Sequence, residues 1–236
     1  MTFSGVLRTM AAQIPKMKLW YHPMLRSTRP AWLIKELGIE DKVEFKYLWL
    51  DLGAPGPERE EYRKTVHPHS TIPALEIEGR PNMLESAAMC MYLADLCGRL
   101  APEPKNRSEY YDWIMYAAMR LDENMELLSQ HWWLMPKEKE NPEVTAQAKA
   151  RCDLCFDRLE NTLKDRPYIL GQELTAADCV LGYDVLWAAD PNMKNGVFLE
   201  GRPNVQAYLK RIMARPALQA TLAMPGEYSL KDYTRK

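Results

Sequence analysis

One stretch decides how this chain folds: His67-Pro68-His69-Ser70-Thr71-Ile72-Pro73-Ala74-Leu75-Glu76-Ile77-Glu78-Gly79-Arg80-Pro81-Asn82-Met83-Leu84-Glu85-Ser86. Its first seven residues hold two prolines and read as an irregular loop. Residues 74–78 alternate apolar Leu75 and Ile77 with acidic neighbours, which predicts a strand. Gly79-Arg80-Pro81-Asn82 then reads as a turn, returning through Met83 and Leu84 to close a hairpin. Glu85 and Ser86 open a helix running to about Leu96, and the N–H groups and positive dipole of a helix start attract anions.

On the N-terminal side, 18–22 is short and aromatic-rich and stops at Pro23, as a strand does. Ser27 or Thr28 can cap a helix with Pro30 in its first turn, Ala31, Leu33, Ile34 and Leu37 at helical spacing, and Gly38 at its end. Residues 43–48 alternate with period two, 52–57 form a Gly- and Pro-rich loop, and 58–64 a short charged helix. The order is βαβ, then a hairpin, then a helix. On the other side, Ala101-Pro102-Glu103-Pro104-Lys105 reads as a linker, and no alternating segment survives beyond it. Helical periodicity covers 110–128, 144–163, 176–189 and 205–213, with Pro216 just past the last. The expected organisation is an extension over 1–17, an α/β domain over 18–98, a linker over 99–107, an all-helical domain over 108–225 and a fraying tail over 226–236.

The 236 residues are 47% apolar, enough to bury one large core or two modest ones. Lys and Arg total 31 against 32 Asp and Glu, a formal charge of -1, so no global field favours nucleic acid or an anionic membrane. Apolar runs are broken well short of the ~20 residues that span a bilayer. The cysteines are Cys90, Cys97, Cys152, Cys155 and Cys179. Their odd number, in a chain whose first 16 residues lack a signal-peptide pattern, points to a reducing, cytoplasmic setting. None precedes Cys90, which removes any dithiol exchange at a cysteine between the first strand and the first helix.

Other motifs carry less chemistry. Cys152-x-x-Cys155 falls in mid-helix with no second pair, which suits a structural role. His67-x-His69 is interrupted by Pro68 and has no carboxylate partner, so a loop role is expected and no metal site. Gly-rich dinucleotide, phosphate-loop and nucleophile-elbow motifs are absent, excluding dehydrogenase, kinase and hydrolase readings. Thr175 with Asp178 three residues on forms a capping-box pattern, and Leu174 can staple onto Cys179.

Taken in order, strand and helix over 18–38, the loop ending in Ile72-Pro73, the Leu84-Glu85-Ser86 helix opening and the 168–182 segment with its Thr-x-x-Asp cap resemble the cytosolic glutathione S-transferases. The likeness covers 18–222. It implies a thioredoxin-like βαβ-ββα N-terminal domain followed by an all-helical domain, glutathione as co-substrate, a small hydrophobic electrophile as second substrate, and a homodimer. The expected reaction is attack of the glutathione thiolate on carbon, by halide displacement, Michael addition or epoxide opening. Two alternatives on the same fold are a noncatalytic glutathione- or ligand-binding scaffold and a glutathione-dependent isomerase.

The resemblance also implies roles. Pro73 would be cis, with the Ile72 backbone pairing with the cysteinyl part of glutathione, and Glu85 and Ser86 would receive its γ-glutamyl carboxylate. Two residues before the proline, where the family often has a lysine for the glycyl carboxylate, this chain has Thr71, so His69, Ser70, Lys64 or Arg29 would share that task. For thiol activation the segment offers Ser27 first and Tyr21 second, with Arg26 as electrostatic helper; the serine of theta-like and zeta-like patterns would fall on Leu25 or Met24, which have no hydroxyl. Tyr110, Trp113, Tyr116, Met119 and Trp132 are the expected electrophile-site residues, drawn from the first long helix of the second domain and its exit.

Overall fold

A computed structural model describes residues 14–22, 24–48 and 57–226 of the chain. The expected extension falls mostly outside these residues, as do most of the 52–57 loop and all but the first residue of the tail. By its internal contacts the chain divides into one unit running through Ala101 and resuming at Pro216, and another spanning Pro102–Arg215.

In the first unit, β1 (Met17–Tyr21) buries Met17, Leu19 and Tyr21 and turns Trp20 to the opposite face. α1 (Thr28–Leu37) follows and ends at Gly38, whose left-handed φ of 66° lets its N–H reach back to the carbonyls of Ile34 and Lys35. β2 (Val43–Tyr47) lies parallel to β1 from Met17 opposite Val43 to Tyr21 opposite Tyr47. Phe45 meets Tyr21 edge-on and lies beneath Lys35 of α1, so α1 covers that face. After α2 (Pro57–Thr65), β3 (Ala74–Ile77) runs antiparallel to β1 and β4 (Arg80–Met83) antiparallel to β3, giving the order β2-β1-β3-β4. α3 (Ser86–Cys97) packs against α1.

Three details differ from the periodicity. β4 begins at Arg80, inside the expected turn: Pro81 lacks a ladder donor but sits on the outermost strand, where none is required. α2 buries one side chain, Tyr62, which meets Trp20 at 5.0 Å. The third is α9 (Pro216–Leu222), which the sequence left inside the helical domain. It packs against α1 with Leu218 buried, so it completes the first unit.

The second unit is helical throughout its regular elements. α4 (Ser108–Tyr116) and α5 (Asp122–Ser129) are joined by a π-helical turn, Ala117–Leu121, and a second such turn, Gln130–Leu134, follows α5. The one periodic helix expected over 110–128 is thus a longer run with two widened turns. α6 (Pro142–Thr162) packs on α5, while α7 (Ala176–Ala188) contacts α4 and α8 (Pro203–Met213). The N-terminal part of α7, from Ala176 to Val185, is buried all round, which is why its sequence shows little amphipathic period. Asp178 reaches back to the Thr175 N–H at 2.8 Å, as the capping pattern predicts, and also accepts from the Thr175 hydroxyl, the Ile169 N–H and the Tyr208 hydroxyl. No helix among the described residues is long and apolar enough to cross a membrane.

Candidate functional site

The deciding stretch forms one edge of the first unit. The Ile72–Pro73 peptide is cis. The β1–β3 ladder ends at the Trp20–Ala74 pair, so Ile72 lies just beyond its last rung. Ile72 is buried with Leu48, Tyr62 and Ala74, and Leu84 packs on the same cluster. That contact brings the start of α3 to the loop. From α2, the Tyr62 hydroxyl donates to the Thr71 carbonyl at 2.7 Å and pins the loop from below.

Each loop residue has a defined place. Ser70 stands at φ 57°, a backbone region in which glycine has no steric cost, and its hydroxyl accepts from Arg59 Nε at 3.1 Å. His67 is buried. Its Nδ1 accepts the His69 N–H at 3.3 Å and its Nε2 lies 2.9 Å from Thr71 Oγ1. With both ring nitrogens engaged inside the loop, His67 holds the loop shape, as expected of it. Burial pushes its pKa below the usual histidine value; the neighbouring His69 adds to this and Glu85 opposes it. His69 and Thr71 are themselves exposed.

At the head of α3, Glu85 occupies the N-cap position and is exposed, whereas Ser86 is buried. The Ser86 hydroxyl accepts from Arg29 Nη1 at 3.1 Å. Arg29, on α1, is 1% exposed: a guanidinium carried into the core directly behind Ser86. The sequence reading considered Arg29 for the other end of the peptide. The available signal was its position on α1 among Ala31, Leu33 and Ile34, where a cation has no solvent-facing reason to be. Arg59 was not anticipated at all, because it lies in a helix whose composition is charged throughout.

The two hydroxyls expected to face a thiol are both committed. Ser27 is 1% exposed; its hydroxyl donates to the His22 carbonyl at 2.8 Å and accepts the His22 N–H at 3.2 Å. Nor does its side chain cap α1. The proton assigned to a thiolate is therefore given to the turn. Tyr21, at the end of β1, donates at 2.6 Å to the carbonyl of Pro225, three residues past α9, and burial raises its pKa. Arg26 lies half-buried in the turn before α1.

The five expected electrophile-site residues do not form one wall. Tyr110 and Trp113 are buried in the second unit's core. Trp113 and Tyr116 do share a face, rings 5.6 Å apart, but the Arg158 guanidinium covers both at 4.0 and 4.2 Å. Burial and a hydrogen bond with Cys155 push Tyr116 up to about 12. Trp132 belongs to a separate stack with Phe198, which in turn stacks on Phe156. Met119 is 59% exposed. Residues read as lining are thus mainly packing, since large aromatics on a long helix satisfy the core first. Cys152 and Cys155 are buried with thiol pKa values raised by burial. Among the described residues no group of three His, Cys, Asp or Glu could hold a metal.

Comparison with known proteins agrees with this architecture. Residues 24–96 match the family model described as Glutathione S-transferase, N-terminal domain, and residues 115–216 the one described as Glutathione S-transferase, C-terminal domain. The glutathione S-transferase GstA of Escherichia coli O157:H7 is 28% identical, over 89% of this chain and 99% of that protein. The dichloromethane dehalogenase of Methylophilus leisingeri is 24% identical, over 85% of this chain and 76% of its own. A solved glutathione transferase from Pseudomonas putida, carrying one glutathione disulfide per subunit, shares the fold at a TM-score of 0.79 and 20% identity, over 96% of this chain and all of that one. The two family-model matches, one to each domain, make this chain a member of the cytosolic glutathione S-transferase superfamily.

Proposed function

We propose that the protein conjugates glutathione to small hydrophobic electrophiles. The observation that carries this reading is the pairing, in one unit, of the Ile72–cis-Pro73 loop with a Ser86 hydroxyl backed by the buried Arg29 guanidinium. Glutathione has a carboxylate for the head of α3 and an extended peptide backbone for Ile72, which lies past the last rung of the β1–β3 ladder, so a ligand strand can pair there. We assign the γ-glutamyl carboxylate to Ser86, with Arg29 supplying positive charge from behind. The bound thiol loses its proton to solvent, the thiolate attacks carbon and an S–C bond forms. Either the C–halide bond breaks and halide leaves, or the enone's C=C electrons shift to an enolate, or the epoxide C–O bond breaks to an alkoxide, and each of the last two anions takes a proton from solvent. The dehalogenase relative supports including halide displacement among the reactions tested.

For activation we favour Tyr21 over Ser27. Tyr21 exchanges one acceptor, the Pro225 carbonyl, for the thiolate, whereas Ser27 is tied twice to a neighbouring residue's backbone. A raised pKa keeps the phenol protonated at neutral pH, the form that donates. The commitment of both hydroxyls is also the observation that favours the scaffold alternative. We further propose a homodimer: Tyr111, Met115 and Met119 recur at helical spacing and are all exposed, and sedimentation tests the assembly. The cytoplasmic assignment remains a proposal from the cysteine pattern.

The test is direct. Glutathione is incubated with the protein and a chloronitrobenzene, an enone and an epoxide in turn, with products identified by mass spectrometry and binding followed by calorimetry. A thioether from any of the three supports the transferase. Binding with no product supports the scaffold, an isomerised electrophile with glutathione regenerated supports the isomerase, and no binding of glutathione overturns the transferase, the isomerase and the glutathione-binding scaffold.

A further inference from the structure

We infer that His67 is a positioning residue that holds the Thr71 hydroxyl as the donor for the glycine-end carboxylate of glutathione. The inference rests on the proposed pairing of the cysteinyl backbone with Ile72. If a peptide pairs antiparallel with residue 72, its chain runs toward lower residue numbers as it approaches its own C-terminus. The carboxylate of the last residue then arrives beside Thr71 and Ser70, and not at Ser86.

The ring geometry decides what it meets there. His67 Nδ1 accepts the His69 N–H, so in the neutral ring the proton resides on Nε2. Nε2–H therefore donates to Thr71 Oγ1 at 2.9 Å. With that lone pair satisfied, the hydroxyl's own proton points away from the ring, on a residue that is exposed while His67 is buried. The Thr71 main chain cannot drift, because its carbonyl is held by Tyr62. Next to it, the Arg59 guanidinium is drawn to the loop by Ser70 and adds positive charge on the same side. A neutral hydroxyl thus acts as an anion donor because a buried imidazole has fixed which way its proton faces.

Calorimetry with glutathione and with its glycyl monoethyl ester tests this, since the ester lacks that one charge. The intact protein is expected to prefer the acid. Thr71→Val, an exposed change of shape-similar side chain, weakens the acid roughly 10-fold and leaves the ester unchanged. His67→Ala reproduces that loss, His67→Gln, which keeps a donor near Nε2, restores most of the preference, and the double variant His67→Ala with Thr71→Val is no worse than Thr71→Val alone. Thr71→Lys in the His67→Ala background recovers the preference, because an ammonium needs no orienting ring. Equal weakening of acid and ester by Thr71→Val, or losses from His67→Ala and Thr71→Val that add, would overturn the inference even if His67→Ala folds poorly. Failure of the intact protein to bind either ligand would overturn the underlying glutathione reading along with it.

Discussion

Arg29 brings a guanidinium into a place that is 1% exposed, and its Nη1 donates to the Ser86 hydroxyl. A ligand carboxylate at Ser86 would add opposite charge at short range, so Arg29 should matter for binding as well as for folding. Arg29→Met is expected to weaken glutathione by 10- to 100-fold, on the order of 1.4–3 kcal/mol, and to lower the melting temperature of the ligand-free protein, because a buried cation's hydrogen bonds are lost with it. Calorimetry and a thermal melt on the same sample check both halves; a large loss of stability with unchanged affinity would place Arg29 in the core alone. The two hydroxyls separate in the same manner. Ser27→Ala removes both bonds to His22 and should cost about 1–2 kcal/mol of stability without moving the titration of the bound thiol. Tyr21→Phe should do the reverse, raising the thiol pKa and lowering kcat. Ultraviolet titration of bound glutathione distinguishes them.

At the scale of the element, the proline loop was legible because its signal is local: two prolines, a strand and a helix start fall in fixed order, whereas the cis state of Pro73 came only with the family resemblance. What the loop's side chains do to one another was not legible. A histidine two residues before another reads as a metal pair or a turn, and only the fold shows its ring bridging His69 and Thr71. The resulting pH dependence has a definite sign. Burial lowers the His67 pKa from 6.5, so the folded loop favours the neutral ring. Its contribution to stability is present above pH 6.5 and is lost as the pH falls through the lower folded value. Protonation would also turn Nδ1 into a donor facing the His69 N–H. Glutathione affinity should therefore drop on acidification, and His67→Gln should flatten that limb in calorimetry run from pH 7.5 to 5. Asp178 carries the opposite sign. Burial raises its carboxyl from 3.8 to about 6 against the pull of its donors, so its proton-linked stability is complete below pH 3.8 and fades as pH rises through about 6. The urea midpoint of Asp178→Asn should lack that decline between pH 4.5 and 7.

For the whole molecule, the feature that periodicity could not reveal is the return of the chain. A seven-residue helix opening at Pro216 carries too short a pattern to say which core it joins, and sequence order favours the nearer one. In the fold it joins α1, with Leu218 fully buried and Pro225 holding Tyr21. The same α1 carries Arg29, so the C-terminal segment supports the proposed glutathione site from beneath. A chain ending at Arg215 should lose the burial of Leu218, about 1.5–3 kcal/mol, from the first unit and not from the second, whose described residues are all retained. Hydrogen exchange read by mass spectrometry resolves this. Peptides covering 17–47 should exchange faster in the shortened chain, those covering 142–188 should be unchanged, and glutathione affinity should fall together with protection of α1. Uniform acceleration across both units would mean that the last helix stabilises the chain as a whole and that its contact with α1 has no special consequence for the site.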